Sequence, residues 1–249
     1  MQDYMENPEK KCRKDLLQKM LDARDDEARP LSLNALNTEA ADFVLAGSHT
    51  TSSSLTWIVW RIMKNAEILS KLHQEIDTAL AGLPQDQVPS HQKPENLRYF
   101  NCVIKEGLRI DTAVPGSTTR YVPPGGATIH NHNLPGHTIV SAQAYSYYRD
   151  AAIFPDPNEF RPERWLNETP EMHKLYISFG ADGPRKCIGI HLAYMELRVI
   201  LAALFWRFDL KSVGDCDDGS MEIDEFWLAN PLGQRLSIVA TERRRSYWG

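Results

Sequence analysis

Cys187 stands in the stretch Phe179-Gly-Ala-Asp-Gly-Pro-Arg-Lys-Cys-Ile-Gly189, where a glycine-rich loop leads into a long apolar segment. A thiolate is a nucleophile and a metal ligand, and at a helix N-terminus the dipole and free backbone N–H groups stabilise it. Gly183 and Gly189 let a flat, bulky group approach the backbone closely, and Arg185 offers a guanidinium to a carboxylate on that group. The plainer reading of a lone cysteine is an inert buried thiol; the surrounding loop argues for the ligand. A second constellation is Glu106 and Arg109, at i and i+3 on one helix face and close enough to pair. Alone, such a spacing is ordinarily a solvated surface pair, and Arg161-Pro-Glu-Arg-Trp165 is unremarkable by itself. Their order along the chain, together with the cysteine loop, gives both their weight. A third feature is the block Ala46-Gly-Ser-His-Thr-Thr-Ser-Ser-Ser54, which sets small and hydroxylated residues inside a long helical pattern. Glycine costs about 1 kcal/mol there relative to alanine, and Ser and Thr are mediocre helix formers, so a local distortion is expected.

The elements that must position these residues follow from periodicity and turn chemistry. A short amphipathic helix begins near Asp15 and is ended by Arg29-Pro30. Thr38 reads as an N-cap, with Glu39 and Asp42 in the first turn of a helix that runs to Asn65. A second long helix spans Ala66 to Ala81, and Pro94 opens a third that carries Glu106 and Arg109. Thr118–Val122, Ala127–Asn131 and Thr138–Ala142 are strand-like pieces broken by Pro-Pro-Gly-Gly and Pro-Gly. Residues 153–185 are irregular, and a long loop of that kind inside a compact domain is usually functional. The segment Ile188–Phe208 is apolar on most faces and reads as a buried helix, followed by weak strands at Phe226–Leu228 and Leu236–Ala240. The fold class is therefore mainly α with small β-sheets, an α+β arrangement in one domain.

Composition narrows the function classes. The 249 residues carry 28 Lys+Arg against 33 Asp+Glu, a net charge of −5 that leaves no electrostatic footprint for nucleic acid. Hydrophobic residues at 42% and charged ones at 24% are ordinary globular values, which exclude a disordered or fibrous chain. Cysteines at 12, 102, 187 and 216 form no CxxC pair and no disulfide framework. The polar start is no secretory signal, and the apolar run Val199–Trp206 falls far short of a bilayer span. His130, His132 and His137 have a spacing that a metal can use, but their turn-rich setting favours plain surface histidines. His73, His91, His173 and His191 read as surface or helix-face residues, and Arg243-Arg-Arg245 as a solvated tail.

Taken together, Glu106-x-x-Arg109, Phe160-Arg-Pro-Glu-Arg-Trp165 and the Cys187 loop resemble the haem-thiolate cytochrome P450 signature set, in that family's order. Ala46-Gly-Ser-His-Thr-Thr51 resembles the oxygen-activating stretch of the family's central helix, and residues from about 10 to 240 match its C-terminal half continuously. Val114-Pro-Gly-Ser, Pro123-Pro-Gly-Gly-Ala and Ser141-Ala-Gln-Ala-Tyr look most like filamentous-fungal members. The resemblance implies a P450-like fold truncated on its N-terminal side. It divides the chain into a helical lead-in at 1–37, an oxygen-site helix at 38–65 and helices with the Glu-x-x-Arg pair at 66–111. A small β region at 117–143, a meander and cysteine loop at 144–187, a proximal helix at 188–208 and a β tail at 209–249 complete it.

Carried over residue by residue, the resemblance implies that Cys187 is the axial thiolate ligand of the iron of haem b. Thiolate ligation pushes electron density onto the metal and favours O–O cleavage. Arg185 and Arg120 match propionate-binding positions, Phe179 the aromatic packed near the sulfur, and Gly183 and Gly189 the loop glycines. Glu106, Arg109 and Arg164 match a buried structural triad. Thr50, with its hydroxyl over the distal face, and His49 match the oxygen-activating positions. His49 replaces the usual carboxylate and can carry a proton near neutral pH. Phe179 precedes Gly183 by four residues where the family has three. The implied activity is a monooxygenase that inserts one atom of dioxygen into a small lipophilic or secondary-metabolite substrate, with electrons from NADPH through a cytochrome P450 reductase. Family members are about twice as long and are usually anchored to the endoplasmic reticulum, whereas this chain carries no anchor and no transmembrane segment. Two alternatives stay open: a haem-binding but catalytically impaired fragment or pseudoenzyme, and a helical remnant that binds no haem.

Overall fold

A computed structural model describes residues 15–243. Cys12 and the tail residues Arg244 and Arg245 lie outside the described residues, as does the start of the lead-in. The described residues fall into two compact units that divide between His49 and Thr50, within one long helix.

In the first unit, α1 spans Leu16–Asp22 and is capped by Asp15, whose side chain accepts from the Gln18 N–H. The long helix α2 spans Leu33–Lys64. Its start corrects the expected cap: Ser32 Oγ accepts from the Ala35 N–H at 3.2 Å, the arrangement of a serine N-cap. Thr38 lies inside the helix, where its hydroxyl donates back to the Asn34 carbonyl at 3.0 Å.

The expected distortion at 46–54 is also corrected, because α2 is α-helical throughout. Two hydroxyls of this region explain how. Ser54 Oγ donates to the Thr50 carbonyl at 2.8 Å and Thr56 Oγ1 to the Ser52 carbonyl at 2.9 Å. Hydroxyls that return to the i−4 carbonyl compete with the backbone without breaking the ladder.

The second unit is built around α3 (Ala66–Ala79), α5 (Arg98–Ile110) and α8 (Ile190–Arg207). Ile68, Leu72 and Ile76 recur every four residues on α3, and Leu197, Leu201 and Phe205 do so on α8, so each helix presents one apolar stripe. These stripes meet Phe100, Val103, Ile104 and Leu108 of α5 and Ile58, Val59 and Ile62 of α2 in a single core. Gly107 permits the closest crossing, since a Cβ there would overlap the Ile58 side chain.

Pro94 does not open α5; it belongs to a separate turn, α4 (Gln92–Glu95). The true start is capped from another helix. The Glu75 carboxylate on α3 accepts from the Tyr99 N–H at 3.0 Å and the Phe100 N–H at 2.7 Å. A carboxylate on two orphan N–H groups answers both the hydrogen-bond deficit and the dipole of the first turn.

The expectation for α8 holds only in part. Leu197, Leu201, Ala202, Phe205 and Trp206 are buried, but Leu192 and Met195 near its start are exposed and Ile188 just before it is 82% exposed.

Among the described residues the sheets are four two-stranded antiparallel ladders. β1 (Ser117–Tyr121) pairs with β4 (Ile139–Gln143), and between them β2 (Ala127–Ile129) pairs with β3 (His132–Leu134). The expected strand through Asn131 stops at Ile129 because His130 and Asn131 both take positive φ, the turn a two-residue hairpin needs. α6 (Ala144–Tyr147), a 3-10 turn at Pro162–Asn167 and α7 (Pro170–Leu175) punctuate the irregular stretch. Beyond α8, β5 (Phe208–Ser212) pairs with β8 (Ile238–Glu242), enclosing the pair β6 (Ile223–Phe226) and β7 (Leu228–Pro231). The strand expected at 226–228 is interrupted rather than continuous: Phe226 ends β6 and Leu228 begins β7, with Trp227 between them at a φ of 72°. Trp57 Nε1 of α2 donates to the Met221 carbonyl at 2.9 Å and fixes this last segment to the helical core. Among the described residues, no helix is long and apolar enough to cross a membrane.

Candidate functional site

Glu106 and Arg109 are fully buried on α5, and the Arg164 side chain, on the 3-10 turn, is 3% exposed. The carboxylate accepts five hydrogen bonds. Arg109 Nε and Nη2 each reach it at 2.9 Å, Arg164 Nε and the Arg161 N–H at 3.0 Å, and Trp165 Nε1 at 2.8 Å. Two carboxylate oxygens have about four lone-pair sites, so Glu106 is fully subscribed.

The rest of each guanidinium turns to the irregular segment. Arg109 donates to the carbonyls of Tyr148, Pro157 and Glu159, and Arg164 to those of Pro155, Asp156 and Glu159. A loop that lacks its own ladder thus has several of its carbonyls satisfied by two arginines. Burial pulls the Arg164 guanidinium below its ordinary pKa, with Glu106 acting in the opposite sense. The carboxylate is what makes two buried cations tolerable here.

Around this cluster the packing is aromatic. Phe154, Trp165 and Tyr148 form one apolar nucleus with Tyr176 against it. Lys105 Nζ lies 4.4 Å from the Trp165 ring centroid and pairs with Glu168 at 2.6 Å, covering the outer face of the indole.

The cysteine loop is closed by one backbone bond, from the Cys187 N–H to the Phe179 carbonyl at 2.8 Å. Between its ends, Gly180 has a φ of 82° and Gly183 of 135°, and the Lys186 N–H returns to the Gly183 carbonyl at 3.2 Å. Both glycines occupy backbone regions that side chains rarely adopt. In this turn Asp182 pairs with Lys186 at 2.8 Å. Cys187 is exposed. A Cβ on Gly189 would lie 3.8 Å from its sulfur, whereas nothing stands within 4 Å of one on Gly183.

The remaining site residues are placed but not gathered. Arg185 is exposed in the loop, and Arg120 is exposed on β1 with its guanidinium on the Thr119 carbonyl at 2.6 Å. His49 and Thr50 are consecutive on α2. His130 and His137 sit in turns with positive φ. No group of three or more His, Cys, Asp or Glu side chains stands ready for a bare metal ion among the described residues.

A family model described as Cytochrome P450 matches residues 1–234. The chain belongs to the cytochrome P450 family. It is 42% identical over 207 residues to the cytochrome P450 monooxygenase tazI of Aspergillus terreus, an alignment covering 82% of this chain and 41% of that one. To cytochrome P450 monooxygenase cloA of Claviceps purpurea it is 36% identical over 246 residues, 96% of this chain and 47% of the relative. To phqM of Penicillium fellutanum it is 37% identical over 209 residues, 81% and 38% respectively. The chain thus spans less than half the length of these P450 relatives.

Cytochrome P450 proteins hold a haem through a cysteine thiolate. The residues present fit a haem. An exposed thiol is flanked by glycines at 183 and 189 that leave its surroundings clear, exposed Arg120 and Arg185 are available for propionates, and exposed Ile188 and Leu192 offer apolar surface beside the cysteine. Sequence reasoning missed the Glu75 cap, the role of Trp165 and the tyrosines behind the loop. Trp165 lay in plain sight within the Arg-Pro-Glu-Arg-Trp motif.

Proposed function

We propose that this chain carries the haem-thiolate half of a monooxygenase that inserts one oxygen atom into a small lipophilic or secondary-metabolite substrate. The fungal relatives, each named a cytochrome P450 monooxygenase, support that reading. The single observation that carries it is the exposed Cys187 thiol on a glycine-flanked loop whose Phe179 end packs against the buried core.

Haem b, when bound, supplies an iron centre that activates dioxygen with electrons delivered from NADPH through a reductase. Cys187 Sγ would hold the iron as its thiolate ligand. The Phe179 carbonyl accepts from the Cys187 N–H and would hold the loop in place beneath the haem. Arg120 and Arg185 would orient the macrocycle through its carboxylates. Thr50 and His49 would hold and pass the proton that oxygen activation requires. Glu106, Arg109 and Arg164 keep the irregular segment in register and perform no chemistry.

The reduced, carbon-monoxide-bound absorption spectrum tests this after haem reconstitution. Wild-type chain should give the red-shifted Soret band of thiolate ligation, and Cys187→Ser should lose it. A histidine-type or free-haem spectrum in both refutes the reading. One observation favours a second reading, a haem-binding but impaired catalyst: His49 stands where the family has a carboxylate. NADPH-dependent turnover with a reductase separates the two, and its absence despite a correct spectrum selects the second.

A further inference from the structure

The buried Glu106 cluster and the exposed Cys187 loop are far apart in sequence, yet an unbroken series of contacts joins them. Trp165, whose Nε1 donates to Glu106, has its ring edge-on to Tyr176, with centroids 5.2 Å apart. The Tyr176 and Tyr194 hydroxyls stand 3.3 Å apart. The Tyr194 ring packs on Phe179 at 5.1 Å, and the Phe179 carbonyl holds the Cys187 N–H. Tyr194 is fixed from behind as well. Arg198 lies 5.2 Å from its ring centroid, and Arg198 Nε donates to Asn101 of α5 at 2.8 Å.

We propose that Tyr176 and Tyr194 are positioning residues that join the Glu106 cluster to the Cys187 loop and set the geometry of the sulfur. The inference rests on the haem-thiolate reading for its purpose, though not for its test. Tyr176 comes from the segment before the loop and Tyr194 from the helix after it, so their hydroxyl contact clasps the loop at both ends. Phe179 lies inside that clasp. A second strut stands beside it: the Ser178 hydroxyl bonds the Tyr148 hydroxyl at 2.7 Å and donates to the Leu108 carbonyl at 3.0 Å. The segment before Phe179 is thus tied to α5, and Phe179 itself to α8. Burial raises the Tyr176 hydroxyl far above its usual pKa, so the clasp stays protonated and neutral across the working range.

A contiguous set of contacts establishes proximity, and only a coupling measurement establishes that the set acts as a unit. The test uses the haem-free chain. Hydrogen exchange of the Cys187 amide reports directly on the bond to Phe179. Tyr194→Phe keeps the ring on Phe179 and removes only the hydroxyl. It should speed Cys187 exchange about fivefold, the effect of losing one neutral hydrogen bond. Tyr176→Phe should match it, and the double variant should add nothing further. Amides of α3 serve as the control and should be unchanged. Cys187 exchange equal to wild type in both single variants, or fully additive effects in the double, overturns the proposal.

A second readout uses reconstituted protein. In either Tyr→Phe variant the thiolate-type Soret band should give way in part to a blue-shifted one, although both variants retain Cys187. An unaltered band would also overturn the proposal. Failure of the haem-thiolate reading looks different: no variant, nor the wild type, would show the thiolate band, while the exchange result would stand independently.

Discussion

Replacing Glu106 by glutamine keeps the shape of the side chain and deletes one charge from a site that receives five hydrogen bonds. The consequences follow from the donors. Arg109 and Arg164 remain buried at 0% and 3% side-chain exposure with no carboxylate between them. The new amide NH2 also points two hydrogens at groups that are themselves donors. Removing one partner of a buried ion pair costs about 3–5 kcal/mol, chiefly through the charge left behind. For a chain of this size each kcal/mol moves the melting temperature by about 2–4 °C, so the drop should be roughly 6–20 °C.

The assay is thermal and urea unfolding of the haem-free chain followed by circular dichroism, with Glu67→Gln as the control. Glu67 pairs with Lys71 at the surface, 77% exposed, and its removal should cost about 0.5 kcal/mol or less. A Glu106→Gln chain within 1 kcal/mol of wild type would refute the argument that this carboxylate holds two buried cations.

Other outcomes follow from the same reasoning. Glu75→Ala should destabilise the chain by about 1–2 kcal/mol, since the first turn of α5 loses its carboxylate cap, and exchange at Tyr99 and Phe100 should rise while α8 is unaffected. Gly183→Ala places a Cβ at a φ of 135°, a region nearly reserved for glycine, and should cost about 1–3 kcal/mol and speed Cys187 amide exchange. Burial pushes the Cys102 thiol up to about 11. The unfolded chain therefore releases that proton near its ordinary value of about 8.5 while the folded chain retains it, and stability falls as pH rises between the two. The stability difference between wild type and Cys102→Ala should drift against wild type from about pH 8 to 10; a constant difference would disprove the assignment.

The legible parts of this molecule were local or carried by motif. The grouping of Glu106, Arg109 and Arg164 was implied by the resemblance to the P450 signature set, and the structure brings all three together. Long helices were found from period, because Ile68, Leu72 and Ile76 recur at helical spacing whatever they pack against. What escaped was non-local. No rule on sequence windows links Glu75 to an N-terminus at Arg98, so Pro94, a good local signal, was preferred to the distant cap. Thr38 was the expected cap, whereas the helix starts earlier, at Ser32. The apolar segment after Cys187 reads as a buried helix, but period cannot tell a face covered by protein from one left exposed. The tyrosine clasp was invisible for the same reason. Tyr176 and Tyr194 meet only once the loop has closed.

The nesting of the ladders has a consequence for how the chain folds. β2 and β3 are joined by His130 and Asn131 alone, and they lie between β1 and β4; β6 and β7, joined by Trp227, lie between β5 and β8 in the same way. Closing a hairpin of two residues loses far less chain entropy than closing the span from Tyr121 to Ile139 in one step. Once the inner pair has formed, the outer pair has only short connectors left to close. Each β region can therefore assemble from the inside outward, in two small entropic steps that need no contact from elsewhere in the chain. In pulse-labelled exchange, the Ile129 and His132 amides, which close the inner hairpin, should gain protection before those of Arg120 and Val140.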